Sequence, residues 1–144
     1  IAYYGRSKQA DVPFQYFADV ADLAAWCDVL VIITPGGAGT RNMIDARVLK
    51  ALGPKGYLVN ISRGSVVDEP ALIEALKSGA IAGAGLDVFA DEPRVPEALL
   101  ALDNVALAPH VGSATNETRE AMCNLVVDNL VAVKNGKKPL TPVY

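Results

Sequence analysis

The feature that most constrains this chain is the alternation of short apolar runs with segments carrying helix start and stop signals. Ile1–Tyr4, Val29–Thr34, Tyr57–Ile61, Ile81–Leu86 and Val105–Ala108 are brief and almost unbroken. A half-solvated strand would alternate polar and apolar residues, so these runs predict strands of a parallel sheet covered on both faces. The segments between them open on residues whose side chains accept a hydrogen bond from a free backbone N–H. Asp19 precedes a run through Trp26, and Asp45 precedes Ala46–Leu52, which Gly53-Pro54 ends. Asp68 with Pro70 opens a helix that Gly79 closes, with Leu72, Ile73 and Leu76 as its inward stripe. Pro96–Leu102 reads as a shorter helical piece. Thr115 or Asn116 starts a last helix, with Met122, Leu125, Val126, Asn129, Leu130 and Val133 at helical spacing, and Gly136-Lys137-Lys138-Pro139 stops it. Strand–helix repetition with crossovers predicts a doubly wound parallel α/β sheet with helices on both faces. Residues 1–115 are assigned to that domain and 116–144 to a terminal helix and tail.

The chain has ample apolar material for one core, 51% of 144 residues, which excludes a disordered chain. Thirteen basic against 16 acidic residues give a net charge of -3, so no positive field exists to hold nucleic acid or an anionic membrane. No apolar run approaches a membrane span and no basic-then-apolar leader opens the chain, so a cytoplasmic setting is expected. Cys27 and Cys123 form no Cys-x-x-Cys pair and have apolar neighbours, which predicts buried, reduced thiols and no metal site.

Ligands of an open parallel sheet bind beyond the carboxyl ends of its strands. Ser62-Arg63-Gly64 follows Tyr57–Ile61. Asp87 and then Asp91-Glu92-Pro93 follow Ile81–Leu86, and Pro109-His110-Val111-Gly112-Ser113 follows Val105–Ala108. Singly, each has a plainer use: a surface histidine, an arginine on helix-end carbonyls, a polar turn. At three successive strand ends they suit reduction of a 2-keto acid. Arg63 offers a planar fork of donors for a carboxylate. His110 can pass a proton to a carbonyl oxygen while hydride reaches carbon, and Glu92 can hold its imidazole in one orientation.

A strand that binds NAD commonly ends in an acid that grips the ribose 2′-hydroxyl. Here Tyr3-Tyr4 runs into Gly5-Arg6-Ser7-Lys8, with no acid. Arg6 and Lys8 can neutralise a 2′-phosphate and Ser7 can donate to it, which favours NADP with NAD as the alternative. A solvated basic turn is the plainer use of the same residues. Thr34 and Pro35, followed by Gly36-Gly37, are read as residues of the cofactor wall.

Three segments carry a family resemblance that covers essentially the whole chain. Asn60-Ile61-Ser62-Arg63-Gly64-Ser65-Val66-Val67-Asp68 resembles the arginine-bearing signature of the D-isomer-specific 2-hydroxyacid dehydrogenases. Gly85-Leu86-Asp87-Val88-Phe89 with Asp91-Glu92-Pro93 resembles that family's aspartate and glutamate segment, and Pro109–Thr115 its histidine segment. The resemblance implies a Rossmann-type NAD(P)-binding domain. It implies Arg63 as substrate-carboxylate binder, Glu92 as partner of the histidine and His110 as proton donor and acceptor. It also implies Asp87 on the nicotinamide carboxamide, with Ile61 and His110–Ser113, including Gly112 and Ser113, lining the nicotinamide end. Tyr4-Gly5-Arg6-Ser7-Lys8 is similar to the NADP-type glyoxylate and hydroxypyruvate reductases, and a homodimer is implied. Glutamate before Pro93 argues against formate dehydrogenase, which uses glutamine there.

One departure from the family pattern stands out. Its Gly-x-Gly-x-x-Gly turn should precede the Ile1 strand, and Gly36-Gly37-Ala38-Gly39 follows a different strand. The chain is therefore expected to begin inside a larger protein and to lack the first βα unit, central in the strand order 3-2-1-4-5-6. Most of the substrate domain would also lie upstream, so the 144 residues alone are expected not to turn over substrate. Pro139–Tyr144 would run back toward that domain. The competing readings are an NAD-dependent relative, such as a phosphoglycerate or D-lactate dehydrogenase, and a dinucleotide-sensing co-repressor built on the same fold.

Overall fold

Parallel pairing of short apolar strands organises the computed structural model, which describes residues 1–143. The strands are β1 (Ala2–Tyr4), β2 (Gln15–Phe17), β3 (Val29–Ile32), β4 (Tyr57–Asn60), β5 (Gly83–Leu86) and β6 (Val105–Leu107). The α-helices are α1 (Val20–Trp26), α2 (Ala46–Leu52), α3 (Glu69–Lys77), α4 (Glu97–Leu100) and α5 (Asn116–Lys134). Contacts divide the chain into two compact units, Ile1–His110 and a second from Val111 onward.

In the first unit, β3-β4-β5-β6 form one parallel sheet and β1-β2 a separate parallel pair. β2 is a strand that the hydrophobic pattern did not reveal. It pairs with β1 in the register Ala2↔Gln15 to Tyr4↔Phe17, through a loop with no helix. β1 and β3 flank an apolar groove of about 500 Å3, lined among others by Tyr4, Leu23, Trp26, Val29 and Val31. That break lies where the order 3-2-1-4-5-6 would place its first strand.

The aspartate caps are all present. Asp19 accepts from Ala21 N–H at 2.7 Å, Asp45 from Val48 N–H at 3.0 Å and Asp68 from Ala71 N–H at 3.1 Å. Each satisfies a helix-end donor at its Ncap. Gly79, just past the α3 C-cap, has φ +70, a conformation that favours glycine. The buried stripes of α1, α2 and α3 share one core with alternate strand residues Leu30, Ile32, Leu58, Ala84 and Leu86. On α3 the buried positions are Leu72, Ala75 and Leu76, with Ile73 only partly buried.

The opposite face of the sheet differs from expectation. Val29 and Val31 are each 50% exposed and Tyr57 is 52% exposed. The apolar runs thus mark strands with two apolar faces, of which one is covered within this unit.

In the second unit Thr115 caps α5 by accepting from Thr118 N–H at 3.2 Å. Gly136 ends it with φ +70. Asn129, read as part of an apolar stripe, instead ties the tail to the helix: its Nδ2 donates to Leu125 O at 2.8 Å and Thr141 Oγ1 at 3.1 Å. Met122, Leu125, Val126, Leu130 and Val133 are exposed. Cys123, on the same helix, is exposed as well, which corrects the expectation of a buried thiol; Cys27 is half-buried. Of the tail Pro139–Tyr144, Tyr144 lies outside the described residues. Among those described, no helix is long and apolar enough to cross a membrane.

Candidate active site

The carboxyl ends of β4, β5 and β6 are tied together by polar groups that the strands could not otherwise satisfy. Asn60, the last residue of β4, is 1% exposed. Its Oδ1 accepts from Ser62 N–H at 3.1 Å and its Nδ2 donates to Arg63 O at 3.0 Å. A buried amide needs such partners, and here it folds the next three residues into a fixed turn. Ser62 Oγ donates to Thr34 O and so joins this turn to the end of β3. Asp87 N–H donates to Asn60 O at 3.0 Å, which extends the β4–β5 pairing past the strands; the Asp87 side chain is buried.

A 3-10 turn, Gly64–Val66, then packs against the loop after β5. A Cβ on Gly64 would lie 1.9 Å from the carbonyl carbon of Phe89. Only glycine allows that approach. Glu69, opening α3, accepts from Ala90 N–H at 3.1 Å. Glu92 Oε1 accepts from Phe89 N–H at 3.0 Å, and Glu92 Oε2 lies 2.7 Å from His110 Nδ1. His110 holds φ +55, a conformation that costs an L-residue roughly 1–2 kcal/mol. Its ring is 46% exposed beside a carboxylate 35% exposed, so the pair is open on one side. The His110 hydrogen bond, with help from Phe89 N–H and the Arg63 charge, holds the Glu92 carboxyl below the usual carboxylate range.

An ionised Glu92 can only accept, so Nδ1 carries a proton and the second ring nitrogen, Nε2, becomes the exchangeable position. Phe89, Pro93, Val95 and Pro109 complete a small apolar pocket of about 140 Å3 around the pair. The Glu92–Pro93 peptide is cis.

Arg63 is exposed and donates from Nη1 to Ser62 O at 2.6 Å, which leaves its other N–H groups available. It lines a cleft of about 590 Å3 with Thr34, Pro35, Gly36 and Ile61. A second cleft of about 510 Å3 is lined by Tyr4, Arg6, Thr34, Pro35 and Gly36. The two clefts share the lining residues Thr34, Pro35, Gly36 and Gly37. A Cβ on Gly36 would stand 2.9 Å from Arg63 Cγ, so glycine leaves room for the Arg63 side chain. Ser7 and Lys8 are exposed beyond Arg6 and do not line the cleft that Arg6 lines. Gly112 and Ser113 belong to the second unit.

The geometry therefore joins Glu92 to His110 and places Arg6, Thr34, Pro35, Ile61 and Arg63 on two clefts that share Thr34 and Pro35. Sequence reasoning had no role for Asn60, Gly64 or Glu69. A polar residue ending the run Tyr-Leu-Val-Asn was the available signal for Asn60. Gly64 and Glu69 act through contacts distant in sequence.

Comparison with known proteins identifies the family of the chain. A profile described as "D-isomer specific 2-hydroxyacid dehydrogenase, NAD binding domain" matches residues 1–112. Hydroxyphenylpyruvate reductase of Plectranthus scutellarioides is 52% identical over 99% of this chain and 46% of its own length. A glyoxylate/hydroxypyruvate reductase A of Arabidopsis thaliana is 53% identical over the same shares. The crystal structure of an NADPH-dependent glyoxylate/hydroxypyruvate reductase from Sinorhizobium meliloti, in complex with NADP and malonate, superposes with a TM-score of 0.95. It is 53% identical over 99% of this chain and 44% of that one. The chain thus spans about half the length of the curated relatives it matches. By profile, sequence and fold, it belongs to the D-isomer specific 2-hydroxyacid dehydrogenase family.

Proposed function

We propose that the protein carrying this chain is an NADP-dependent reductase of small 2-keto acids, with glyoxylate and hydroxypyruvate as leading substrates. The observation that carries it is the 2.7 Å contact between His110 Nδ1 and Glu92 Oε2 at the strand ends that also present Arg63. Support comes from relatives reducing glyoxylate and hydroxypyruvate, one of them solved with NADP.

The residues present fit a phosphorylated dinucleotide. Two clefts, one lined by Arg6 and the other by Arg63, share Thr34–Gly37, and two cations with a serine follow β1. Arg6, with Ser7 and Lys8, would hold the 2′-phosphate, and Thr34 and Pro35 would form the wall. Ile61, Asp87, Gly112 and Ser113 would serve the nicotinamide end. When bound, the reduced nicotinamide supplies the hydride.

This chain's residues do the rest. Arg63 has donors left after its bond to Ser62 O, and these can take the substrate carboxylate in a bidentate grip. That grip fixes which face of the ketone is presented. His110 gives the proton on Nε2 to the carbonyl oxygen as hydride adds to carbon, and is left neutral, keeping its Nδ1 proton in the hydrogen bond to Glu92. The product is the 2-hydroxy acid, and reversal uses the same atoms. A homodimer and a cytoplasmic setting belong to the same proposal.

The test is cofactor consumption by the full-length protein with glyoxylate or hydroxypyruvate. Faster turnover with NADPH than with NADH is expected. Equal rates or an NADH preference would remove the NADP assignment. Partner binding controlled by dinucleotide, without turnover of any 2-keto acid, would favour a sensor.

A further inference from the structure

The loop that carries Arg6, Ser7 and Lys8 is exposed, yet its two ends are fastened by phenols. Tyr3 and Tyr16 are register partners across β1 and β2, with ring centroids 5.4 Å apart at 52°. The Tyr16 hydroxyl donates to Gly5 O at 3.2 Å, where the loop begins. The Tyr3 hydroxyl accepts from Gln9 N–H at 2.7 Å, where it ends. Between them Gln9 Nε2 donates to Ser7 O at 3.2 Å and to Ser7 Oγ at 3.4 Å. Ser7 Oγ is thereby used as an acceptor, which leaves its proton for an outside acceptor.

These bonds tie the loop to a strand pair without using any of its cations. A loop ordered before its ligand arrives loses less entropy on binding, and the gain falls on whatever only that loop contacts. We propose that Tyr16 and Tyr3 are positioning residues that set selectivity for the phosphorylated over the unphosphorylated dinucleotide. They would do so by fixing the backbone of Gly5–Gln9 so that Arg6, Ser7 and Lys8 converge on the 2′-phosphate. The inference rests on the NADP reading above.

Tyr16→Phe and Tyr3→Phe keep the packed rings and remove one hydroxyl each. The readout is direct binding of NADPH and of NADH to the full-length protein by titration calorimetry, with Arg6→Ala in parallel. Loss of one ordinary hydrogen bond corresponds to about a 2- to 10-fold change. Tyr16→Phe should weaken NADPH by that factor while NADH affinity stays within about twofold, and Tyr3→Phe should act in the same direction. Equal weakening of both dinucleotides, or of neither, overturns the proposal. If Arg6→Ala lowers NADPH affinity selectively and neither phenylalanine variant does, the positioning role alone fails. If Arg6→Ala also leaves the ratio untouched, the NADP reading fails with it. Should Tyr16→Phe not fold, Tyr3→Phe decides by the same criteria.

Discussion

The ends of β4–β6 and the end of β1 present their polar groups in opposite ways. At β4–β6, each key group has a partner inside the molecule: Asn60 on Ser62 and Arg63, Glu69 on Ala90, Glu92 on both Phe89 and His110. At β1 the backbone is fastened, while Arg6 and Lys8 extend into solvent. The first corner spends its hydrogen bonds on holding reacting groups in place, the second on shaping a receptor whose charges await an anion. Geometry should therefore dominate the response at one end, and charge at the other.

The largest effect should come from removing the proton donor. In the full-length protein, His110→Ala should lower turnover about 100- to 10,000-fold, well beyond any change in dinucleotide Kd. Stopped-flow hydride transfer and calorimetry separate the two. Turnover surviving in a stably folded variant would dissolve the contrast, because the tightly bonded corner would then have no chemical role.

Gly64→Ala should come next, acting through space. The new methyl would meet the Phe89 carbonyl, backbone that cannot rotate away as a side-chain tip can. Overpacking of this kind costs about 1–3 kcal/mol and occasionally more; here the upper end is expected in chemical denaturation. A neutral result would show that the loop bearing Glu92 is compliant.

What the sequence could disclose follows the same divide between local and distant contacts. Asp19, Asp45 and Asp68 were readable as caps because each bonds an N–H two or three residues on. His110, Glu92 and Arg63 were readable as strand-end residues because connectivity fixes which end of each parallel strand follows it. Tyr16 was not, since β2 is three residues long and carries no period. Nor was the bond from Glu69 to Ala90, 21 positions apart, or the contact of Gly64 with Phe89. The unbroken runs through Val29–Ile32 and Tyr57–Asn60 disclosed two apolar faces. They could not disclose that Val31 and Tyr57 would stay exposed in this unit while Leu30 and Leu58 are buried, because coverage depends on elements distant in sequence.

Arg6→Glu sharpens the charge side of the comparison. A charge-assisted contact is worth about 10- to 100-fold, so the NADPH-to-NADH ratio of kcat/KM should fall by that order. The fall should shrink as salt rises, because an exposed charge is screened. A ratio unmoved at low salt would mean that the basic turn is merely solvated.

The smallest effect is the pH response of Glu92. Glu92 is held below its ordinary range chiefly by the His110 hydrogen bond, with Phe89 N–H and Arg63 assisting. The unfolded chain therefore takes up this proton first as pH falls. The stability that Glu92 contributes is complete above the ordinary carboxylate range and is lost as pH drops through its lowered folded value. Glu92→Gln removes that titration, so the stability gap between parent and variant should narrow between about pH 6 and pH 3. Because the carboxylate is 35% exposed, the change should stay under about 1 kcal/mol. Parallel urea melts at several pH values would register it. A gap that widens on acidification would mean the carboxylate is strained in the fold, against the reading of the corner as an arrangement of satisfied bonds.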